Sequence, residues 1–337
     1  MSGVPVFTGR HIEQAVSPDA AVEAVRNAFI AYARGEWTMS PKVYVTNYPA
    51  GDFRAMPALG GGHALLKWVT SFPGNPLQGL PTVTGVVLLS DAENGQLRAV
   101  LDAAAVTALR TGAAAVLAAE TLGRSDARTA AVIGAGVNGK AAARTFLARG
   151  RAVSVWDVNE VRARQVAAEL QTDVAPSLEE ALAADLVVTV TPGHEVLLAE
   201  GSLQPGQHVS LMGADGPGKA EVATAELGRA HVFCDDWEQA NSDGTSTRVK
   251  AKGRLFADDW EQASHGGEFA HAVEAGILTR DDVTDFGRVL TGEAEGRMTS
   301  GDITLFDSTG LAIQDLAIAL AAVEAIGNLP DLHTLDL

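Results

Sequence analysis

Cysteine is nearly absent from this chain: Cys234 is the only one among 337 residues, so no intrachain disulfide can form. A scaffold stapled by disulfides is excluded, and a reducing, cytoplasmic location is the expectation. Basic residues are scarce too. There are 25 Lys and Arg against 42 Asp and Glu, a net charge of −17, whereas a phosphate backbone is gripped by clustered cations. Nucleic acid is therefore not an expected partner, and self-repulsion favours solubility. No basic patch followed by an apolar run stands at the N-terminus, so no secretory signal is expected. Arg, Glu or Asp breaks each Ala-rich segment, and no uninterrupted apolar run is long enough to span a bilayer. No His/Cys spacing suggests zinc, and no Ser-His-Asp order accompanies a nucleophile elbow.

What is present is ordinary for a packed globular protein: 47% apolar and 20% charged residues, over a length that admits two modest domains. The spacing predicts a helix over Pro18–Arg34. Ser17 is at its N-cap, Pro18 lies in the first turn, Val22, Val25, Phe29 and Tyr32 recur at helical intervals, and Gly35 supplies the stop. The texture then turns to strands at Val43–Thr46, Phe53–Ala58, Leu65–Thr70 and Thr82–Ser90, with a turn at 91–95 and an Ala-rich helix over Ala103–Glu120. This part reads as one α+β domain.

From about Thr129 strands and helices alternate. The runs Thr129–Ile133, Ala152–Asp157, Asp185–Thr191 and His208–Gly213 are apolar without alternation, as suits parallel strands covered on both faces. Helical stretches Lys140–Arg149, Glu160–Leu170 and Ser177–Ala184 lie between them, so the fold class is α/β with a Rossmann-type doubly wound parallel sheet. A strand at Ile303–Phe306 and an apolar helix at Leu311–Ile326 close the chain. That helix is expected to return to the first domain, making it discontinuous. The hexapeptide Asp235-Asp236-Trp237-Glu238-Gln239-Ala240 recurs at 258–263. One such repeat is no solenoid. The polar stretch between the copies, with Arg248, Lys250, Lys252 and Arg254, reads as an exposed surface insertion at about 241–263.

The strongest motif is Gly134-Ala135-Gly136-Val137-Asn138-Gly139. It follows an apolar strand, opens a helix, and is answered by Asp157 at the end of the next strand. Gly134 permits the tight turn, Gly136 the approach of a pyrophosphate, and Gly139 the packing of helix on strand, while the helix N-terminus attracts phosphate. Thr191 and Pro192, just after the strand of Asp185, join these six as candidate cofactor contacts. Asp157 is read either as acceptor for the adenosine ribose, favouring NAD(H) over NADP(H), or as a helix cap. Lys67 in the run 64–69 points either to solvent or into a polar cavity. Arg54 raises the same question. Arg110 interrupts a nearly all-apolar helix, as a carboxylate fork or a structural ion pair. Asp215, in the glycine-rich stretch 213–219 beyond a parallel strand, is placed either for proton transfer or for a turn. His194 is a lone histidine at a strand end.

Taken in order, these residues make the chain similar to the ornithine cyclodeaminase/μ-crystallin family. That family also holds archaeal-type alanine dehydrogenases and ketimine reductases. The landmarks are 54–58, 67–69 with 72–75, 107–111, the dinucleotide loop, 213–219, 266–268 and 306–311, and they cover nearly the whole chain. The resemblance implies a homodimer. A substrate-binding and dimerisation domain of residues 1–122 and 306–337 would surround an NAD-binding Rossmann domain of residues 123–305. It implies substrate-carboxylate roles for Arg54, Lys67 and Arg110, and catalysis by Lys67 and Asp215. Cyclodeaminases carry an arginine near the place of Lys42. Arg54, thirteen residues ahead of Lys67, instead fits the dehydrogenase pattern. The implied activity is NAD-dependent amino-acid dehydrogenation or imine reduction on a small amino, keto or imino acid. A cyclodeaminase-type lyase and a non-catalytic dinucleotide binder are the alternatives.

Overall fold

The computed structural model describes residues 3–192, 195–213, 219–234, 268, 272–273, 275–279 and 282–336. Asp215, His194, both copies of the hexapeptide and the basic stretch between them lie outside the described residues. The chain divides into two units, Met1–Arg110 with Leu311–Leu337, and Thr111–Gly310. The sequence reading put the division at 122/123 and 305/306. In the structure the first boundary falls inside the helix Ala103–Leu122. The second falls after the strand Thr304–Asp307, because that strand is hydrogen-bonded into the sheet of the second unit.

The first unit is built on a mixed sheet of β1 (Val4–Phe7), β2 (Thr38–Met39), β3 (Val43–Asn47), β4 (Gly51–Gly60), β5 (His63–Ser71), β6 (Val83–Asp91), β7 (Leu97–Asp102) and β16 (His333–Leu335). Its order is β16-β1-β7-β6-β5-β4-β2, with β3 also on β4. β4 to β7 form an antiparallel meander. On β5, Leu65, Lys67 and Val69 face inward, while Leu66 and Trp68 face out. The helix Pro18–Ala33 and the C-terminal helix Ala312–Glu324 pack together, and the latter lies over β4 and β5. Ser17 caps the first of these by accepting from the Ala20 amide at 3.2 Å, and Pro18 opens it. The sequence reading missed β1, β2, β7 and β16, all of six residues or fewer.

The second unit is a parallel sheet of β8 (Thr129–Ile133), β9 (Ala152–Trp156), β10 (Asp173–Val174), β11 (Leu186–Thr189), β12 (His208–Leu211), β13 (His231–Cys234), β14 (Thr284–Asp285) and β15 (Thr304–Asp307). Its order is β10-β9-β8-β11-β12-β15-β13-β14. Every residue of β11, β12 and β15 is buried, as in parallel strands covered on both faces, and their polar members His208, Ser210 and Thr304 are hydrogen-bonded inside. The order reverses between β8 and β11, and ligands of open α/β sheets bind at such a switch point. The helix Ala103–Leu122 meets the length and composition of a membrane span despite Arg110 and Glu120. Leu109 to Ala119 are buried within the protein, the pattern of a core helix.

Candidate active site

Lys67 stands in the middle of β5, on the face covered by helices. Met56 lies opposite it on β4 and Val87 on β6, and both are buried. An ammonium in that position needs a counter-charge. Asp315 in the C-terminal helix provides it: Lys67 Nζ lies 2.6 Å from Asp315 Oδ2, with the side chains 1% and 0% exposed. Nζ also donates to Thr107 Oγ1 at 3.3 Å. Arg110 Nε stands 3.5 Å from Asp315 Oδ1, and its Nη1 donates to Gln314 Oε1 at 3.3 Å. One carboxylate thus serves two cations. Burial lowers the pKa of Lys67 from 10.5 to about 8; Asp315 opposes the shift, while Arg110 and Lys42 add to it.

Arg54 shares this face, two positions along β4 from Met56. Its Nε donates to Asp52 Oδ1 at 2.6 Å and its Nη2 to Asp52 Oδ2 at 3.2 Å, a bidentate pair. The guanidinium carbon also lies 5.4 Å from the ring centre of Tyr44, the residue opposite on β3. Lys67 and Arg110 therefore converge on Asp315, while Arg54 is held by Asp52. Three cations face two carboxylates.

In the second unit the glycine loop takes the shape that phosphate binding requires. Gly134 has φ +108°, and a Cβ there would come within 2.7 Å of the Val190 carbonyl. At Gly139 a Cβ would collide with the Gly134 carbonyl, yet at Gly136 it would meet no protein atom within 4 Å. Tight turn, close packing and open approach thus fall on three different glycines. The helix Val137–Ala148 begins on this loop with Gly136 as its N-cap, three residues earlier than the sequence reading placed it. Val137 lies exposed and Asn138 half-buried in its first turn. Asp157 Oδ2 accepts from the Ala135 amide at 2.7 Å, and Oδ1 from the Asn159 amide at 2.8 Å. The next helix is capped by Asn159 instead, so the cap reading of Asp157 gives way to one in which it closes the glycine loop. Arg162 Nη1 lies 3.7 Å from Asp157 Oδ2. The donors and the open glycine suit a dinucleotide pyrophosphate; among the described residues no cluster suits a metal.

Thr191 follows β11, and its amide and hydroxyl donate to Glu221 Oε1 at 2.8 and 2.6 Å. Pro192 follows at the same strand end. Burial raises the pKa of Glu221 and also that of Glu268, where the charge of Glu221 adds to the effect. The sequence reading missed Asp315 and Glu221. Asp315 carried a legible signal, an acid in an otherwise apolar helix, the same mark that singled out Arg110. Glu221 carried none, because it sits in an irregular segment where Glu is unremarkable.

A doubly wound parallel sheet with a glycine loop at its switch point and an acid closing that loop defines a Rossmann-type dinucleotide-binding unit. The description of the ornithine cyclodeaminase/mu-crystallin family matches residues 5–328, and the chain belongs to that family. It is 38% identical over 333 residues to an alanine dehydrogenase of Archaeoglobus fulgidus, covering 95% of this chain and 94% of the relative. It is 30% identical over 332 residues to an iminosuccinate reductase of Paracoccus denitrificans, covering 95% of each. A solved archaeal alanine dehydrogenase dimer with bound NAD matches with a TM-score of 0.84 at 36% identity, covering 99% of both chains.

Proposed function

We propose that the protein is an NAD(H)-dependent oxidoreductase acting on a small α-amino acid and its imine or keto-acid counterpart. The observation that carries this reading is the buried cluster of Lys67, Arg110 and Asp315 in a chain that also holds a dinucleotide loop. Arg54, paired with Asp52, adds a further cation on the same face, in keeping with a site for a substrate carboxylate. The alanine dehydrogenase and iminosuccinate reductase relatives act on molecules of that class.

Lys67 and Arg110 hold the carboxylate by charge-assisted hydrogen bonds, with Arg54 steering it, which fixes the orientation of the α-carbon. A nicotinamide cofactor, when bound on the glycine loop, would supply the hydride-transfer chemistry at that carbon. Lys67, with a pKa near 8, can give or take a proton at neutral pH as amine and imine interconvert, and Asp215 is assigned the partner role. Asp157 favours NADH over NADPH by repelling a 2′-phosphate. The active form is a homodimer joined through the outer face of the first sheet. There Val43, Ala55, Trp68 and Val86 lie side by side on four strands, and Val43, Trp68 and Val86 are exposed. The single cysteine and the acidic surface suit the cytoplasm, with neither nucleic acid nor membrane as partner.

The test is a screen of small 2-oxo acids and cyclic imines with NADH, with and without ammonia or methylamine. Net oxidation of NADH on at least one pair is expected. Conversion of ornithine to proline with no net change in NADH would replace this reading by the lyase. Cofactor binding without turnover on any of them would leave a non-catalytic binder.

A further inference from the structure

Glu221, fully buried in the second unit, is held by four hydrogen bonds. Its carboxylate accepts from the Thr189 hydroxyl at 2.7 Å, the Thr191 amide at 2.8 Å, the Thr191 hydroxyl at 2.6 Å and the Gly213 amide at 3.0 Å. These donors come from two chain segments, the end of β11 and the residue where the chain leaves β12. Glycine is required at 213, since a Cβ there would lie 2.5 Å from the Glu221 carboxylate. The same strand end abuts the phosphate loop: a Cβ on Gly134 would lie 2.7 Å from the Val190 oxygen and 3.3 Å from Thr191 Cγ2.

Glu221 is itself held from behind. Its amide donates to Glu268 Oε1 at 2.6 Å and that of Val222 to Glu268 Oε2 at 3.2 Å. The Glu268 amide donates to Asp307 Oδ2 at 3.2 Å, at the end of β15. One chain of acids therefore links the carboxyl ends of β11, β12 and β15. Burying two carboxylates together is costly, and apolar packing would join these strands more cheaply. The cost is explained if the strand ends must be held in one geometry. Burial raises the pKa of both groups, against the hydrogen bonds each accepts, and the charge of Glu221 adds to the effect at Glu268.

In a doubly wound sheet the two halves of a dinucleotide lie on opposite sides of the switch point. Asp157 serves the half over β8 to β10, where the adenosine belongs. β11 and β12 belong to the other half. We propose that Glu221, supported by Glu268, is the positioning residue for the nicotinamide half of the bound dinucleotide. The inference rests on the dinucleotide reading above.

Calorimetric titration of the full chain with NADH and, separately, with ADP-ribose, which lacks the nicotinamide, tests it. Glu221→Gln keeps the size but turns an amide donor toward amide donors. It should raise the Kd for NADH about tenfold or more while that for ADP-ribose stays within about twofold. Thr189→Val, which removes the hydroxyl bond of a buried residue to Glu221 Oε2, should move NADH the same way by about threefold. If Glu221→Gln does not fold, Thr189→Val decides alone. Equal weakening of both ligands would show general loosening and overturn the proposal, as would unchanged NADH affinity in the variants. Failure of the unaltered protein to bind either ligand would instead remove the dinucleotide reading itself.

Discussion

The carboxylate of Asp315 lies 2.6 Å from the ammonium of Lys67, and Arg110 shares the same acid. Taking one member from a buried ion pair leaves an uncompensated charge, at a cost of about 3–5 kcal/mol. Asp315→Asn should lose that much stability in denaturant titration. Adding Lys67→Met, which removes one stranded cation, should recover part of it. A double variant no more stable than the single one would mean that the pair is not coupled as the distance implies.

The pKa of Lys67 predicts a pH profile. If the ammonium holds the substrate carboxylate, kcat/KM for a 2-oxo acid should fall above about pH 8, and Lys67→Arg should carry that limb to much higher pH. Stability moves the other way. The unfolded lysine keeps its proton up to 10.5 and the folded one only to about 8, so between these values the unfolded state binds more protons and stability rises with pH. Measured against Lys67→Met, the native protein should gain stability across that window. A limb near pH 8 that survives in Lys67→Arg would assign it to another group.

Asp157 closes the glycine loop and pairs with Arg162. Asp157→Ser should weaken NADH and bring the ratio of NADPH to NADH affinity up, because the repulsion is gone and Arg162 is released toward a 2′-phosphate. Fluorescence titration with both cofactors reads this directly. Equal affinities in the unaltered protein would sink the argument.

The outer face of the first sheet carries a row from Val43 through Ala55 and Trp68 to Val86. Trp68→Glu places a charge at its centre and should shift the protein from dimer to monomer in sedimentation velocity, with the fold retained by circular dichroism. A variant that stays dimeric would put the interface elsewhere.

Much of the second unit was legible because buried parallel strands show as short, mainly apolar runs without strict alternation, and the loop from Gly134 to Gly139 lay where such a sheet needs it. The residue types at Lys67 and Arg110 were legible too, as charges in apolar surroundings. Asp315 bore a similar mark, but its pairing with them was not legible, since it reaches Lys67 across 248 positions (315 minus 67) and no local pattern records that return. Weak strands such as β1 and β16 depend on pairing with each other and carry little signal alone.

His208 predicts acid sensitivity. It is fully buried between Thr304 Oγ1 at 2.9 Å and Ser210 Oγ at 3.0 Å, and burial, aided by the charge of Arg297, holds its pKa well below 6.5. The unfolded chain binds a proton there below about 6.5 and the folded one does not, so stability is lost as pH falls through that range. His208→Gln should be less stable at pH 7, by about 1–3 kcal/mol, yet show a shallower loss between pH 7 and 5 in thermal melts. An acid limb equally steep in the variant would assign it to other groups.

The place of β15 also bears on how the chain is made. It is the last strand of the second sheet in sequence, yet it lies between β12 and β13. During synthesis the strands up to β12 emerge well before it, leaving the edge of β12 without a neighbour until residues 304–307 leave the ribosome. An exposed apolar strand edge is an aggregation hazard. A ribosome stalled, or a gene truncated, between the end of β12 and Thr304 should therefore yield an insoluble product rather than a smaller folded domain.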